Sequence, residues 1–83
     1  MKFYSTFSTQ EQKLIYQRTL KEMERQLMEA LLTEGIDPVT FEPSTFVVEL
    51  DPNGLAIPNH TRIAGFISKI ELLNEKIKSV TQA

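Results

Sequence analysis

The chain has 83 residues, which is enough for one small domain and too few for two. Hydrophobic residues make up 41% and charged residues 24%, a balance typical of folded proteins, and the net charge of −2 argues against a strongly basic surface for nucleic acid or membranes. The chain has no cysteine and one histidine, so disulfides, thiolate metal sites, cysteine nucleophiles and most multi-histidine sites are excluded.

The first predicted element is a helix at residues 10–34, preceded by an N-terminal arm at residues 1–9. Ser8 and Glu11 have the three-residue spacing of a capping box, which satisfies free amides at a helix start. Apolar side chains then recur every three or four positions, which places them on one side of a helix. These residues are Tyr16, Leu20, Met23, Leu27 and Ala30.

The end of this helix is marked by Gly35, which can adopt the left-handed conformation. Ile36 would then lie against Leu31, so we expect the helix to end in a Schellman motif. The following residues, 36–45, contain two prolines and predict an extended connector.

A β-hairpin is predicted at residues 46–57. Its first strand is β-branched and aromatic, and alternate residues share one face: Phe46, Val48 and Leu50. Asp51-Pro52-Asn53-Gly54 has the residues of a tight turn, and Pro58 would end the return strand. Because a two-stranded hairpin is marginally stable alone, we expect its apolar face to pack on the helices.

A second helix is predicted at residues 60–80, with Asn59 as its N-cap. Its apolar seam has strict three- and four-residue spacing: Ile63, Phe66, Ile70, Leu73, Ile77 and Val80. The sequence therefore predicts a single domain over residues 1–83. Its fold class is α+β, in the order α-β-β-α, with two antiparallel helices and a packed β-hairpin.

Catalysis and metal binding have little support in the residue pattern. His60 is the only side chain that would titrate near neutrality, and its position favours an exposed residue at a helix start over an active-site base. Asp51-Pro52-Asn53-Gly54 begins like a calcium loop, but the later ligands are absent and the turn explains it. We expect no enzyme, no catalytic or metal-ligating residue, no cofactor and no small-molecule substrate.

Surplus apolar residues favour a protein-binding role instead. Three of them lie about 120–160° from the seam of the first helix, one points away from the second seam, and three aromatic residues occupy the arm. The predicted partner-binding residues are Phe3, Tyr4, Phe7, Leu14, Met28, Leu32 and Leu72. The alternative is that the arm or the connector covers this surface within one chain. We predict a non-catalytic interaction or assembly module that binds a protein partner or forms a homo-oligomer.

A second functional hypothesis rests on Arg62, Lys69 and Lys76, which form a basic stripe beside the second seam. Such a stripe is more often a solvated helix face, so a nucleic-acid-binding or regulatory module is the alternative function. A small inhibitor of a host or rival protein is another. No apolar run reaches the roughly 20 residues of a membrane span, and we expect a cytoplasmic protein without membrane contact.

The order of a capped helix, a tight hairpin at Asp51-Pro52-Asn53-Gly54 and a second helix resembles the tailed-phage head-to-tail joining protein W family. The second helix carries Ile63, Phe66, Ile70 and Leu73. The resemblance covers residues 10–80 in element order, and it implies a small non-enzymatic assembly factor that binds a portal ring and becomes virion-associated. The connector at 37–45 is longer than the link in that family, and no functional residue is carried over.

Overall fold

The computed structural model describes residues 8–82, which form two α-helices, α1 (Thr9–Thr33) and α2 (Pro58–Gln82). Each helix has 25 residues and is about 37 Å long. They pack against each other in antiparallel directions as a helical hairpin. The connector between them contains a single 3-10 turn at Pro43–Thr45. Three predicted contact residues, Phe3, Tyr4 and Phe7, lie outside the described residues.

Both ends of α1 use local hydrogen bonds that its sequence encodes. At the start, the Glu11 amide donates to the Ser8 hydroxyl oxygen over 3.1 Å. At the end, Gly35 has a φ of +73°, and the Ile36 amide donates to the Leu31 carbonyl over 2.9 Å. The Gly35 amide donates to the Leu32 carbonyl over 3.0 Å, so the hydrogen bonds of a Schellman motif are present.

The predicted β-hairpin is wrong, because residues 8–82 contain no β-strand and only one isolated antiparallel bridge, between Leu50 and Ala56. The turn itself forms: the Asp51 carboxylate accepts the amides of Asn53 and Leu55, each over 2.9 Å. Phe46 and Val48 of the predicted face are half-buried, but Leu50 next to the turn is 64% exposed, so apolar burial does not extend to the turn and does not hold further pairs together there. The fold is a helical hairpin, not the α+β arrangement expected from the sequence.

The start of α2 also differs from the prediction. Pro58 is the first helical residue, where its missing amide costs nothing, and the Ile57 carbonyl accepts the Thr61 amide over 3.1 Å. Asn59 therefore lies within the first turn and is not the N-cap. Its side-chain amide donates to the Ala30 carbonyl over 3.0 Å, which ties the start of α2 to the end of α1.

The buried core is small and lies at the closed end of the hairpin. Among the described residues, the buried apolar side chains are Ala30, Leu31 and Ile63. Partly buried side chains from both helices and the connector surround them: Leu27, Ile36, Phe41, Phe46, Phe66 and Ile67. The connector thus packs on one side of the helix pair, and the hairpin is held together mainly where the chain turns.

Candidate protein-binding surface

The one buried polar residue in the described part of the chain is His60, which joins three segments. Its Nδ1 accepts the Glu49 amide over 3.2 Å, and its Nε2 lies 3.3 Å from a Glu34 carboxylate oxygen. The Phe46 ring meets the imidazole edge to face at 5.6 Å. Because Nδ1 accepts a hydrogen bond, the geometry assigns the proton of the neutral ring to Nε2, which donates to Glu34.

The prediction that His60 is an exposed helix-start residue is therefore wrong. Both ring nitrogens are held by protein groups of the same fold, so the side chain acts as a clamp between α1, the connector and α2. Within residues 8–82, no group of three histidine, aspartate or glutamate side chains could hold a metal ion.

A groove runs between the two helices on one side of the hairpin. Among residues 8–82, those that line it all belong to α1 or α2: Ile15, Tyr16, Thr19 and Met23 from α1, and Lys69, Leu72, Leu73 and Lys76 from α2. The opposite side of the hairpin carries a depression that also involves the connector, through Pro38, Phe41 and Pro43. The groove is thus the side of the helix pair that the connector leaves open.

The four predicted contact residues within residues 8–82 are all exposed, but the structure does not bring them together. Leu72 lines the groove and is 53% exposed. Leu14 is 47% exposed and lies fourteen residues from Met28 along α1, a distance of about 21 Å. Met28 borders the depression beside the connector, and Leu32 lies one helical turn beyond it. These four residues therefore occupy separate parts of the surface.

Sequence reasoning assigned Met23 and Leu73 to the helix seams and passed over Ile15, although all three line the groove. The available signal is that Ile15 and Leu72 each precede a seam residue in the chain. Two adjacent apolar positions widen the apolar stripe of a helix beyond the width that one neighbouring helix covers. Such a pair on each helix predicts an open apolar flank.

The basic stripe of α2 forms one rim of this groove. Lys69 and Lys76 line the groove directly, and Arg62 lies seven residues before Lys69 on the same side of the helix. The Arg62 guanidinium lies 5.6 Å from the Phe66 ring centre, and the Lys76 ammonium lies 5.7 Å from that of Tyr16. The structure thus unites residues that the sequence assigned to two different hypotheses.

The side of α1 that borders the groove carries two carboxylates, Glu22 and Glu29, together with the guanidinium groups of Arg18 and Arg25. Glu22 and Glu29 follow Ile15 by seven and fourteen residues, so they lie on the groove side of α1. Arg25 pairs with both carboxylates, which leaves the three-residue cluster with a net charge of −1. Hydrogen bonds from Arg25 and then Gln26 lower the pKa of the exposed Glu22 carboxyl to about 2. Glu22 therefore stays ionised at neutral pH.

Neither helix of the described chain is long and apolar enough to cross a membrane. The β-hairpin on which the resemblance to the joining protein W family partly rested is absent from residues 8–82, so the element order differs there. The portal-binding role that this resemblance implies stays a hypothesis. No protein-family model, curated protein or solved structure matches this chain.

Proposed function

We propose that the chain is a non-catalytic protein-binding module whose groove takes part in assembly, with a copy of itself or with a larger partner. The observation that carries this proposal is the open groove, an apolar strip between two helices on the side that the connector leaves uncovered. The chain contains no cysteine, which fits the reducing cytoplasm as its compartment.

The packing of the hairpin supports this proposal energetically. Leu72 exposes 53% of its surface beside Ile15, Met23 and Leu73, which are only partly buried. Burying the rest of one leucine contributes roughly 1 kcal/mol, and a helix laid in the groove would cover all four side chains at once. The small buried core at the closed end supplies little stability at the open end, so a partner there would stabilise the hairpin.

The test compares two leucines of similar exposure on different sides of the molecule. Leu72→Glu places a charge in the groove, and Leu14→Glu places the same charge on α1 outside the groove. Absolute mass by light scattering, together with affinity capture on immobilised chain, measures assembly. Circular dichroism checks the helices. We expect Leu72→Glu to abolish assembly with the helices intact, and Leu14→Glu to assemble like the wild type.

Variants at other exposed residues of α1 test whether the binding surface is the groove or the outer side of α1. If Met28→Glu or Leu32→Glu dispersed the complex and Leu72→Glu did not, the binding surface would be the outer side of α1. If any of these variants lost its helices, that side chain would belong to the core and not to an interface. Equal assembly of Leu72→Glu and wild type would refute the proposal.

The second candidate function is nucleic-acid binding through Arg62, Lys69 and Lys76. Seven-residue spacing places consecutive cations about 10.5 Å apart along one side of α2. Phosphate contacts of this kind predict an affinity that falls steeply with salt. Absence of binding to mixed-sequence DNA or RNA at low salt would remove this candidate, and a loss of binding on neutralising the three residues would support it.

A further inference from the structure

We infer that the partner is a second copy of this chain, seated groove to groove about a two-fold axis parallel to the helices. This inference rests on the proposed function and adds the identity and the orientation of the partner. The product is a four-helix dimer in which α1 of each copy faces α2 of the other. The positions of charged side chains along the two sides of the groove select this orientation.

Two carboxylates of α1 lie at the same positions along the hairpin axis as two cations of α2. Lys76 contacts the Tyr16 ring, which fixes how the two helices are shifted against each other. Because the helices are antiparallel, seven residues on along α1 and seven back along α2 place Met23, and Glu22 beside it, close to the axial position of Lys69. Glu29 is two turns further along α1, and Arg62 is two turns back along α2. Because the helices are antiparallel, Glu29 and Arg62 also lie at the same position along the hairpin axis.

Two symmetric arrangements place one groove on another with the helices aligned. A two-fold axis parallel to the helices leaves the position of every residue along the helix axis unchanged. It places α1 of one copy against α2 of the other. Glu22 then faces Lys69 of the second copy. Glu29 faces Arg62 of the second copy, and each contact occurs twice in the dimer.

An axis across the helices gives the other arrangement, in which each helix lies against its own counterpart. This arrangement brings the basic rims of α2 together, so that up to six cations from Arg62, Lys69 and Lys76 share one side of the interface. It also leaves the Glu22 and Glu29 carboxylates of both copies without a cation from the other copy, paired only with their own Arg25. Like charges across an interface disfavour a pairing, so the charge pattern selects the axis parallel to the helices.

The size of this face is sufficient for a specific dimer. Two helices side by side, each about 37 Å long and about 10 Å wide, present about 700 Å² per copy, or about 1,400 Å² in total. That total falls within the range of specific protein interfaces. Apolar contact comes from Ile15, Met23, Leu72 and Leu73, while the aliphatic stems of Lys69 and Lys76 cover the edges.

The decisive experiment mixes two charge-reversal variants, Lys69→Glu and Glu22→Lys. Each variant alone places like charges at both contacts of its homodimer, so we expect the dissociation constant to rise roughly tenfold or more at low ionic strength. In a mixture, the heterodimer pairs Glu22 with Lys69 and the two reversed residues with each other. We expect light scattering and sedimentation to show a 1:1 dimer of wild-type affinity.

Several outcomes would overturn this inference. If each variant alone dimerised like the wild type, helices would not be paired α1 against α2. The same conclusion follows if the mixture stayed monomeric with both helices intact by circular dichroism. Should either variant lose its helices, Glu29→Lys mixed with Arg62→Glu repeats the test at the second contact.

The failure of this inference is distinguishable from the failure of the proposed function. A wild-type chain that stays monomeric at several hundred micromolar refutes the homodimer. The groove can still bind a different protein, which the comparison of Leu72→Glu with Leu14→Glu decides. A third result is that Leu72→Glu loses self-association while Lys69→Glu and Glu22→Lys each dimerise with the wild-type dissociation constant. The groove would then be the self-association surface, but the proposed two-fold arrangement would be wrong.

Discussion

Replacing His60 tests whether its clamp holds the closed end of the hairpin together. His60→Ala removes the acceptor of the Glu49 amide, the donor to Glu34 and the edge contact with Phe46. Because the imidazole is buried, water replaces these contacts poorly. We therefore expect a loss of stability well beyond that of an exposed histidine.

The magnitude follows from the three contacts. A hydrogen bond contributes about 1 kcal/mol net, and a buried amide left without a partner costs about 1–3 kcal/mol. The contact with the partly exposed Glu34 contributes about 1 kcal/mol, and the ring contact about 0.5–1.5 kcal/mol. The bond to the Glu49 amide is only part-buried, so its loss is counted once at about 1 kcal/mol. The sum of the three contacts for His60→Ala is then about 3 kcal/mol, a large part of the roughly 4–12 kcal/mol typical of a domain of this size.

Urea unfolding followed by circular dichroism measures this change, at a fixed protein concentration because self-association would alter the midpoint. Two further variants separate the contributions of the two ring nitrogens. His60→Asn keeps an acceptor near the position of Nδ1, and His60→Gln keeps a donor near that of Nε2. Each should lose about 1–2 kcal/mol. A loss below about 0.5 kcal/mol for His60→Ala would refute the clamp.

Two further predictions concern local features of α1. Because the hydrogen bonds from Arg25 lower the pKa of Glu22 from its usual 4.5 to about 2, the contribution of this carboxylate to helix stability is present above pH 4.5 and is lost as the pH falls towards 2. A midpoint near pH 4.5 for the Glu22 carboxyl in an NMR titration would contradict this prediction. Arg25→Met should raise that midpoint, because it removes the main hydrogen-bond donor. Gly35→Ala should lower the free energy of unfolding by about 1–2 kcal/mol, because alanine is strained at the positive φ of this residue. No heavy atom lies within 4 Å of an added Cβ, so backbone strain is the whole effect, and thermal unfolding measures it. An unchanged melting temperature would contradict that.

The candidate surface was only partly predictable. Leu72, Lys69 and Lys76 were singled out from their positions on the helical wheel, and all three border the groove. The helical wheel assigned them to separate hypotheses because it shows one helix at a time. Whether two stripes meet at one groove depends on how α1 and α2 are rotated and shifted against each other, which no local pattern specifies.

The sequence by itself determined the two helices, the Schellman motif at Gly35 and the turn at Asp51, because each depends on hydrogen bonds and side-chain spacing within a few residues. Tertiary structure decided whether the turn became a hairpin, since strands need a buried face and Leu50 remained exposed. It also decided the role of His60, whose partners Glu34 and Glu49 are 26 and 11 residues away in the chain. Contacts over such distances depend on the packing of α1 against α2.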